Sequence, residues 1–164
     1  MSWESSIKGF KSYLQIERSL SDNSVQAYIR DIKKFANYAI PLKLNELKIQ
    51  RENISDFLAE LKDDGIAARS QARIISGIKA FYKYLIIEDY IKHDPTELIE
   101  SPKVGFKLPD TLSLIEIDKL ISAVDLSNKQ GERNRAILET LYSCGLRVSE
   151  LTNLQLSNIH FKEG

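Results

Sequence analysis

The sequence has little of what cross-links a small fold or stabilises it with metal. Its one cysteine in 164 residues, Cys144, excludes an intrachain disulfide and cannot by itself supply the roughly four ligands of a structural zinc site. Such sparse cysteine use favours a reducing compartment, so we expect a cytoplasmic protein. The longest apolar runs are short, as at residues 84–87, and no apolar segment follows a basic N-terminus. We therefore predict neither a membrane span nor an export signal.

Glycine and proline are also scarce, and there is no excess of charge of either sign. Seven glycines and four prolines are too few for an all-β protein, which needs a turn about every 8 to 12 residues. Because 43% of the residues are hydrophobic, the chain can bury a core, and we predict a mainly α fold. Basic and acidic residues number 23 each, so any nucleic-acid partner must be sought on local faces rather than in an overall field.

The motifs of common catalytic and cofactor sites are missing as well. There is no glycine-rich phosphate loop and no His-Glu-x-x-His pair, and the two histidines, His93 and His160, lie in different segments. We therefore predict no metal site and no cofactor.

Apolar residues recur at helical spacing throughout the first half of the chain, which predicts a four-helix bundle. The first helix ends near Arg18, and the second runs from an N-cap at Ser21 to just before Pro41. A third, shorter helix is ended by Gly65, and the fourth spans about 68–88. Their apolar stripes contain Trp3, Ile7, Phe10 and Leu14, then Val25, Ile29, Ile32 and Phe35, then Ile54, Phe57 and Leu61, and finally Ile74, Ile78, Phe81 and Leu85.

A cluster of prolines divides the chain. Pro95, Pro102 and Pro109 fall close together, and proline disfavours helix both at itself and at the residue before it. We predict a first domain at 1–93, a linker at 94–109 and a second domain at 110–164. The residues after the linker are too few for a domain that is stable by itself. We therefore expect the second domain to be incomplete.

The second domain begins with a clear helix signal. Ser113 and Glu116 form a Ser-x-x-Glu capping box ahead of an apolar run. A further helix is predicted from about Glu132 to Cys144, followed by a short helix at about 147–154 and the start of a strand at 159–161.

Two polar helix faces are candidates for binding DNA, because a helix fits the major groove and these side chains reach phosphates and base edges. The alternative is that both faces are merely solvated, as on any soluble helix. The candidates on the second helix are Gln26, Arg30, Lys33 and Lys34, with Asn37 on the same stripe, and those on the fourth are Arg69, Gln71, Arg73, Ser76, Lys79 and Lys83.

The segment 145–151, Gly-Leu-Arg-Val-Ser-Glu-Leu, combines a helix stop with a charged pair. Gly145 ends one helix, Arg147 is placed in the first turn of the next, and Glu150 follows three residues later. An arginine held this way can present its planar fork to two phosphate oxygens near a helix N-terminus. An ordinary ion pair between positions i and i+3 explains the same spacing.

This segment resembles the first active-site box of the tyrosine recombinases, the phage-integrase family, and the whole layout is similar to their Xer subgroup. The resemblance extends over essentially the full chain, including the segment 21–28, the helix at 72–85 and the proline-containing linker. It implies that a SAM-like core-binding bundle grips one face of double-stranded DNA and that a catalytic domain begins after the linker. It also implies DNA strand cleavage and rejoining through a phosphotyrosine, without metal or nucleotide.

The resemblance assigns roles to two residues of the box. Arg147 matches the first catalytic arginine, which clamps the scissile phosphate and stabilises the transition state, and Glu150 matches the acidic residue that supports it. The family's lysine on a β-hairpin, its His-x-x-Arg box and its tyrosine nucleophile have no match among these 164 residues. We therefore expect this chain to bind DNA without cutting it.

The resemblance also implies a sister recombinase and a tetramer on DNA for the intact enzyme, while this chain should be monomeric without DNA. Two alternatives stay open from the residues alone. One is a stand-alone helical DNA-binding or decoy module, and the other is a helical protein-interaction domain whose basic faces are only solvated.

Overall fold

The regular elements of the protein are helices throughout the part of the chain that the structure, a computed structural model, describes, residues 2–105, 108 and 110–159. The mainly α prediction is thereby confirmed. In chain order the elements are α1 (Trp3–Ile16), α2 (Asp22–Ala39), α3 (Arg51–Asp63), α4 (Ala68–Ile87), α5 (Leu114–Ser122), α6 (Gly131–Cys144), α7 (Val148–Thr152) and a 3₁₀ turn at Leu156–Asn158.

Local signals set where the first helices begin and end. The Ser21 hydroxyl accepts a hydrogen bond from the backbone N–H of Ser24, which confirms the predicted N-cap of α2. After α3, Gly65 has φ of +73°, a left-handed conformation that costs glycine nothing and reverses the chain into α4. Ala67 caps α4 without a side-chain hydrogen bond.

Aromatic side chains from all four helices meet in the centre of the bundle. The Trp3 ring of α1 lies 5.6 Å from Phe35 of α2 and 6.0 Å from Phe81 of α4, measured between ring centroids. Phe57 of α3 lies 5.0 Å from Phe35. Such pairs add about 0.5–1.5 kcal/mol each beyond the area they bury, so this cluster fixes how the helices pack.

The loop between α2 and α3 is tied to this core by buried hydrogen bonds. The Trp3 indole N–H donates to the Leu44 carbonyl at 3.0 Å, and the Tyr82 hydroxyl donates to the Glu46 carbonyl at 3.3 Å. The Ser6 hydroxyl donates to the buried Glu46 carboxylate at 3.2 Å. Each bond satisfies a polar group that would otherwise be costly to bury.

The chain separates into two compact units, Met1–Phe106 and Lys107–Gly164. The predicted linker started at 94, yet Thr96 and Ile99 are buried in the first unit. The Asp94 carboxylate accepts hydrogen bonds from both the backbone N–H and the hydroxyl of Thr96, which turns the chain back onto the bundle. We therefore propose that the part of the linker open to proteases begins after Ile99.

Limited trypsin digestion should first cleave in the exposed segment that contains Lys103 and leave a stable fragment of the first unit. The expected fragment retains α1–α4 and is identified by intact mass. First cleavage inside α1–α4 would contradict the two-domain proposal.

The second unit begins as predicted. Its capping box is present, because the Ser113 hydroxyl accepts from the Glu116 N–H and the Glu116 carboxylate accepts from the Ser113 N–H at 2.8 Å. Among the described residues of this unit only Gly131 is buried, while Leu114, Ile115 and Val148 are 60–68% exposed. These helices thus present apolar faces that the described residues of the unit do not cover. Of the predicted strand at 159–161, His160 and Phe161 lie outside the described residues.

Candidate nucleic-acid interface and catalytic box

A groove of about 840 Å³ runs between α2 and α4, and polar side chains line it. Half of the DNA-binding candidates predicted from sequence meet there: Gln26, Arg30, Lys33, Lys34 and Arg73. Asn37 lines the same groove, together with Ser70 and the loop residues Gly65 and Ile66. The structure therefore brings the predicted α2 face together with one residue of the predicted α4 face, Arg73, in one groove.

The remaining candidates lie on α4 outside this groove: Arg69, Gln71, Ser76, Lys79 and Lys83. Two of them are already engaged within the chain. The Gln71 amide donates to the Ile66 carbonyl at 2.7 Å, and the Ser76 hydroxyl donates to the Ala72 carbonyl at 3.0 Å. Arg69 and Lys83 are exposed, so they are the clearest cations of the face beside the groove.

The charge of the bundle is unevenly distributed, although the chain as a whole is neutral. Helix α4 carries four basic residues and no acidic one. Helix α3 carries two basic and four acidic residues. A polyanion would therefore be attracted to the α4 side of the bundle and repelled by α3.

Asp31 on α2 also lines the groove, although it is not among the candidates predicted from the sequence. Its carboxylate is buried, and both of its oxygens lie 2.5 Å from Nη1 of Arg73 on α4. A signal was present, because Asp31 follows Tyr28 by three residues and precedes Phe35 by four. This spacing places it on the apolar face of the helix, where a charge needs a partner.

Burial raises the pKa of Asp31, and the cations around it oppose that effect. Arg73 lowers this pKa through its hydrogen bond and its charge, and Arg30 and Lys34 lower it through their charges. Burial prevails, so the ionised carboxylate depends on its partner.

The second candidate site is built around the turn between α6 and α7. Gly145 ends α6 with φ of +62°, and Arg147 then has extended backbone and caps α7. The prediction that Arg147 lies in the first turn was therefore wrong by one residue. Because the left-handed Gly145 and the extended Arg147 carry the chain out of the helical path, α7 begins only at Val148.

Glu150 holds Arg147 through both of its carboxylate oxygens. One accepts from the backbone N–H of Arg147 at 2.7 Å, and the other accepts from Nη1 of its guanidinium at 2.9 Å. These hydrogen bonds lower the pKa of Glu150 and keep it ionised. The Arg147 side chain is 82% exposed, so the rest of its fork is open to a phosphate. The ion pair seen as an alternative in the sequence is thus present, and it is compatible with a phosphate clamp.

Within the described residues, no group of three or more His, Cys, Asp and Glu side chains could hold a metal ion. No described helix is both long enough and apolar enough to cross a membrane.

Two family models match the chain, one for each unit. Residues 7–89 match the phage integrase N-terminal SAM-like domain, and residues 111–164 match the phage integrase family. The chain belongs to the phage integrase family, that is, to the tyrosine recombinases.

The most similar proteins reported below are tyrosine recombinases of the Xer type. The chain is 41% identical to Tyrosine recombinase XerD of Staphylococcus aureus over 162 residues, 98% of this chain and 55% of that protein. Tyrosine recombinase XerD of Staphylococcus haemolyticus is 40% identical over the same length. The chain thus spans about half the length of the curated relatives it matches.

A solved structure shares the fold. The integrase from mycobacterium phage Brujita matches with a TM-score of 0.56 over 88% of this chain and 47% of that chain, at 21% identity. The predicted helical SAM-like bundle followed by the start of an integrase domain is confirmed.

Proposed function

We propose that this chain is the DNA-gripping N-terminal portion of a site-specific tyrosine recombinase, which cuts and rejoins strands through a phosphotyrosine in the intact enzyme. One observation carries the proposal: the four candidates on α2 line one groove together with Arg73 of α4, and α4 carries four basic residues and no acidic one in a protein of zero net charge. Basic and amide side chains on two packed helices can contact the phosphates and base edges of double-stranded DNA.

The two helices would contribute in different ways. Gln26, Arg30, Lys33 and Lys34 on α2 and Arg73 on α4 line the groove and would contact backbone and base edges there. Arg69, Lys79 and Lys83 would extend the contact to phosphates along α4. Gln71 and Ser76 bond to carbonyls of the chain, so they would contribute only by exchanging those bonds for DNA contacts.

Arg147 would clamp the scissile phosphate, and Glu150 would act as its positioning residue. The open fork of Arg147 suits two phosphate oxygens, and the carboxylate behind it restricts its rotamers. Arg147 stabilises charge on the transferring phosphoryl group but supplies no nucleophile, since its guanidinium stays protonated.

We propose that the 164-residue chain binds DNA without cleaving it. Its seven tyrosines are Tyr13, Tyr28, Tyr38, Tyr82, Tyr84, Tyr90 and Tyr142, and none matches the family's nucleophile. Burial raises the pKa of both Tyr82 and Tyr84, which disfavours the phenolate that attacks phosphorus. Because a phosphotyrosine conserves the energy of the broken bond, the reaction requires no nucleotide, and we propose no metal cofactor.

The assembly that we propose for the intact enzyme is a tetramer on DNA formed with a sister recombinase in the cytoplasm. The chain by itself is proposed to be a monomer in the absence of DNA.

A mobility-shift titration tests the proposed grip. The probes are a palindromic duplex of the Xer recombination-site type, called the site duplex, and a shuffled duplex of the same composition. The double variant Arg69→Ala with Lys83→Ala should bind the site duplex about tenfold more weakly, and its salt slope should be shallower by about two because two phosphate contacts are lost.

The matched control is the double variant Arg51→Ala with Lys62→Ala, which removes the same charge from α3. It should leave affinity and salt slope nearly unchanged. An equal loss in both double variants would move the DNA surface away from α4. Absence of DNA binding by the unaltered chain would favour the alternative of a protein-interaction domain.

A stand-alone DNA-binding module would bind the duplex as well as a recombinase fragment does. Sequencing the gene beyond codon 164 distinguishes these two, because only the recombinase gene encodes the His-x-x-Arg box and the late tyrosine.

A further inference from the structure

The ion pair between Asp31 and Arg73 uses only one edge of the arginine. Nη1 serves both oxygens of the Asp31 carboxylate, and within the described residues Nη2 and Nε have no hydrogen-bond partner. The Arg73 side chain is 51% exposed while that of Asp31 is 5% exposed. The Asp31 carboxylate therefore holds the guanidinium through Nη1, while its Nη2 and Nε edge is open on the side of the groove.

The anchor itself is held firmly by the packing of α2 against α4. A Cβ atom added to Gly77, one turn after Arg73, would lie 2.8 Å from the Cβ of Asp31. The two helices approach this closely only because position 77 has no side chain. The carboxylate is thus trapped between the helices and restricts the rotamers of Arg73.

This arrangement is a poor device for stability alone. A buried carboxylate loses its hydration, and apolar side chains of similar volume usually stabilise a helix interface at least as well as a buried ion pair. The negative charge also weakens the positive field of the groove, because Asp31 sits among Arg30, Lys34 and Arg73. What the carboxylate supplies is a fixed orientation of a planar donor, which phosphate recognition requires.

We propose that Asp31 is a positioning residue for DNA recognition, which holds the Arg73 guanidinium in one orientation so that its Nη2 and Nε edge binds a single backbone phosphate and sets the register of the groove on the site. This inference rests on the function proposed above.

Charge and positioning predict opposite results for Asp31→Asn, which makes the inference testable. If Asp31 acted only through its charge, its neutralisation would strengthen binding to every duplex. If it positions Arg73, binding to the site duplex weakens because the phosphate contact is no longer preorganised, while binding to the shuffled duplex is maintained or strengthened.

The experiment is a mobility-shift titration of the whole chain at several salt concentrations, with the site duplex and the shuffled duplex as probes. For Asp31→Asn we expect the ratio of the two affinities to fall by about tenfold and the salt slope on the site duplex to become shallower by about one. Thermal unfolding by circular dichroism accompanies each variant. Arg73→Lys keeps the positive charge but loses the planar guanidinium, so it should lower the ratio of the two affinities in the same way. It also tests the inference if Asp31→Asn does not fold.

Three results would overturn the inference. Equal strengthening on both duplexes would assign Asp31 a purely electrostatic role. Equal weakening on both, together with a large loss of thermal stability, would assign it a structural one. An unaltered ratio of the two affinities in a folded Arg73→Lys variant would show that the guanidinium geometry of Arg73 does not contribute to DNA recognition. These outcomes leave the proposed function standing, whereas failure of the unaltered chain to bind either duplex would overturn both.

Discussion

Arg147→Ala is expected to lower the formation of a covalent protein–DNA adduct by on the order of a hundredfold or more, which is the effect of removing one charge-stabilising donor from an active site. The measurement requires the family's missing residues. We therefore specify a chimaera that joins residues 1–164 to the part of the Staphylococcus aureus relative that this chain does not match. A nicked suicide duplex traps the adduct, which is quantified on a denaturing gel.

The controls separate chemistry from binding. Duplex affinity of the Arg147→Ala chimaera should fall much less than adduct formation, because the α2–α4 groove is untouched. Lys129→Ala removes an exposed cation from the turn before α6 and should leave adduct formation nearly unchanged. Full adduct formation by the Arg147→Ala chimaera would show that the catalytic assignment of this residue is wrong.

Arg73→Ala should destabilise the first unit by about 2 kcal/mol at pH 7, because it leaves the buried Asp31 carboxylate without its partner. The sequence places Arg73 with Arg69 on a polar helix face, and replacing an exposed cation on such a face changes stability little. The ion pair with Asp31 reverses that expectation for Arg73 and keeps it for Arg69, which has no ion pair within the described part of the chain.

The loss should depend on pH in a defined direction. Burial already raises the folded-state pKa of Asp31 above its usual 3.8, and removing Arg73 removes the two largest effects that lower it, so this pKa rises further. A carboxyl group whose folded-state pKa is raised destabilises the fold when ionised and ceases to do so as it becomes protonated. The deficit of Arg73→Ala should therefore be largest at neutral pH and shrink as the pH falls toward 3.8.

Urea unfolding followed by tryptophan fluorescence measures this effect in the first unit, because Trp3 is the one tryptophan and lies in its core. Arg69→Ala is the matched control and should change the free energy of unfolding by less than about 0.5 kcal/mol. Adding Asp31→Asn to Arg73→Ala should restore much of the stability and abolish the pH dependence. If the loss of stability in Arg73→Ala does not vary with pH, the Asp31 carboxylate is not its cause.

Helix boundaries could be predicted where their cause is local. The Ser21 cap, the box of Ser113 and Glu116, and the left-handed stops at Gly65 and Gly145 each depend on residues within one turn of the chain. The active-site motif at residues 145–151 could be recognised for the same reason, because its residues are contiguous in the sequence.

Features that depend on tertiary packing could not be predicted. Arg73 and Asp31 are 42 residues apart, and only the packing of α4 against α2 brings them together. The prolines after residue 93 indicated a linker, but the Asp94–Thr96 turn and the burial of Ile99 keep that segment on the bundle. Gln71 was assigned to a DNA-facing surface because helical spacing does not show that its amide reaches the Ile66 carbonyl.

A single denaturing gel tests most directly whether this chain is the DNA-gripping half of a recombinase. Its lanes hold a suicide duplex with the chimaera, with the chimaera carrying Arg69→Ala and Lys83→Ala, and with the 164-residue chain alone. We predict a covalent adduct with the first, a strongly reduced adduct with the second, and none with the third. A folded chimaera that binds the duplex yet forms no adduct, while the complete Staphylococcus aureus relative forms one, would contradict the proposal, as would an adduct formed by the 164-residue chain.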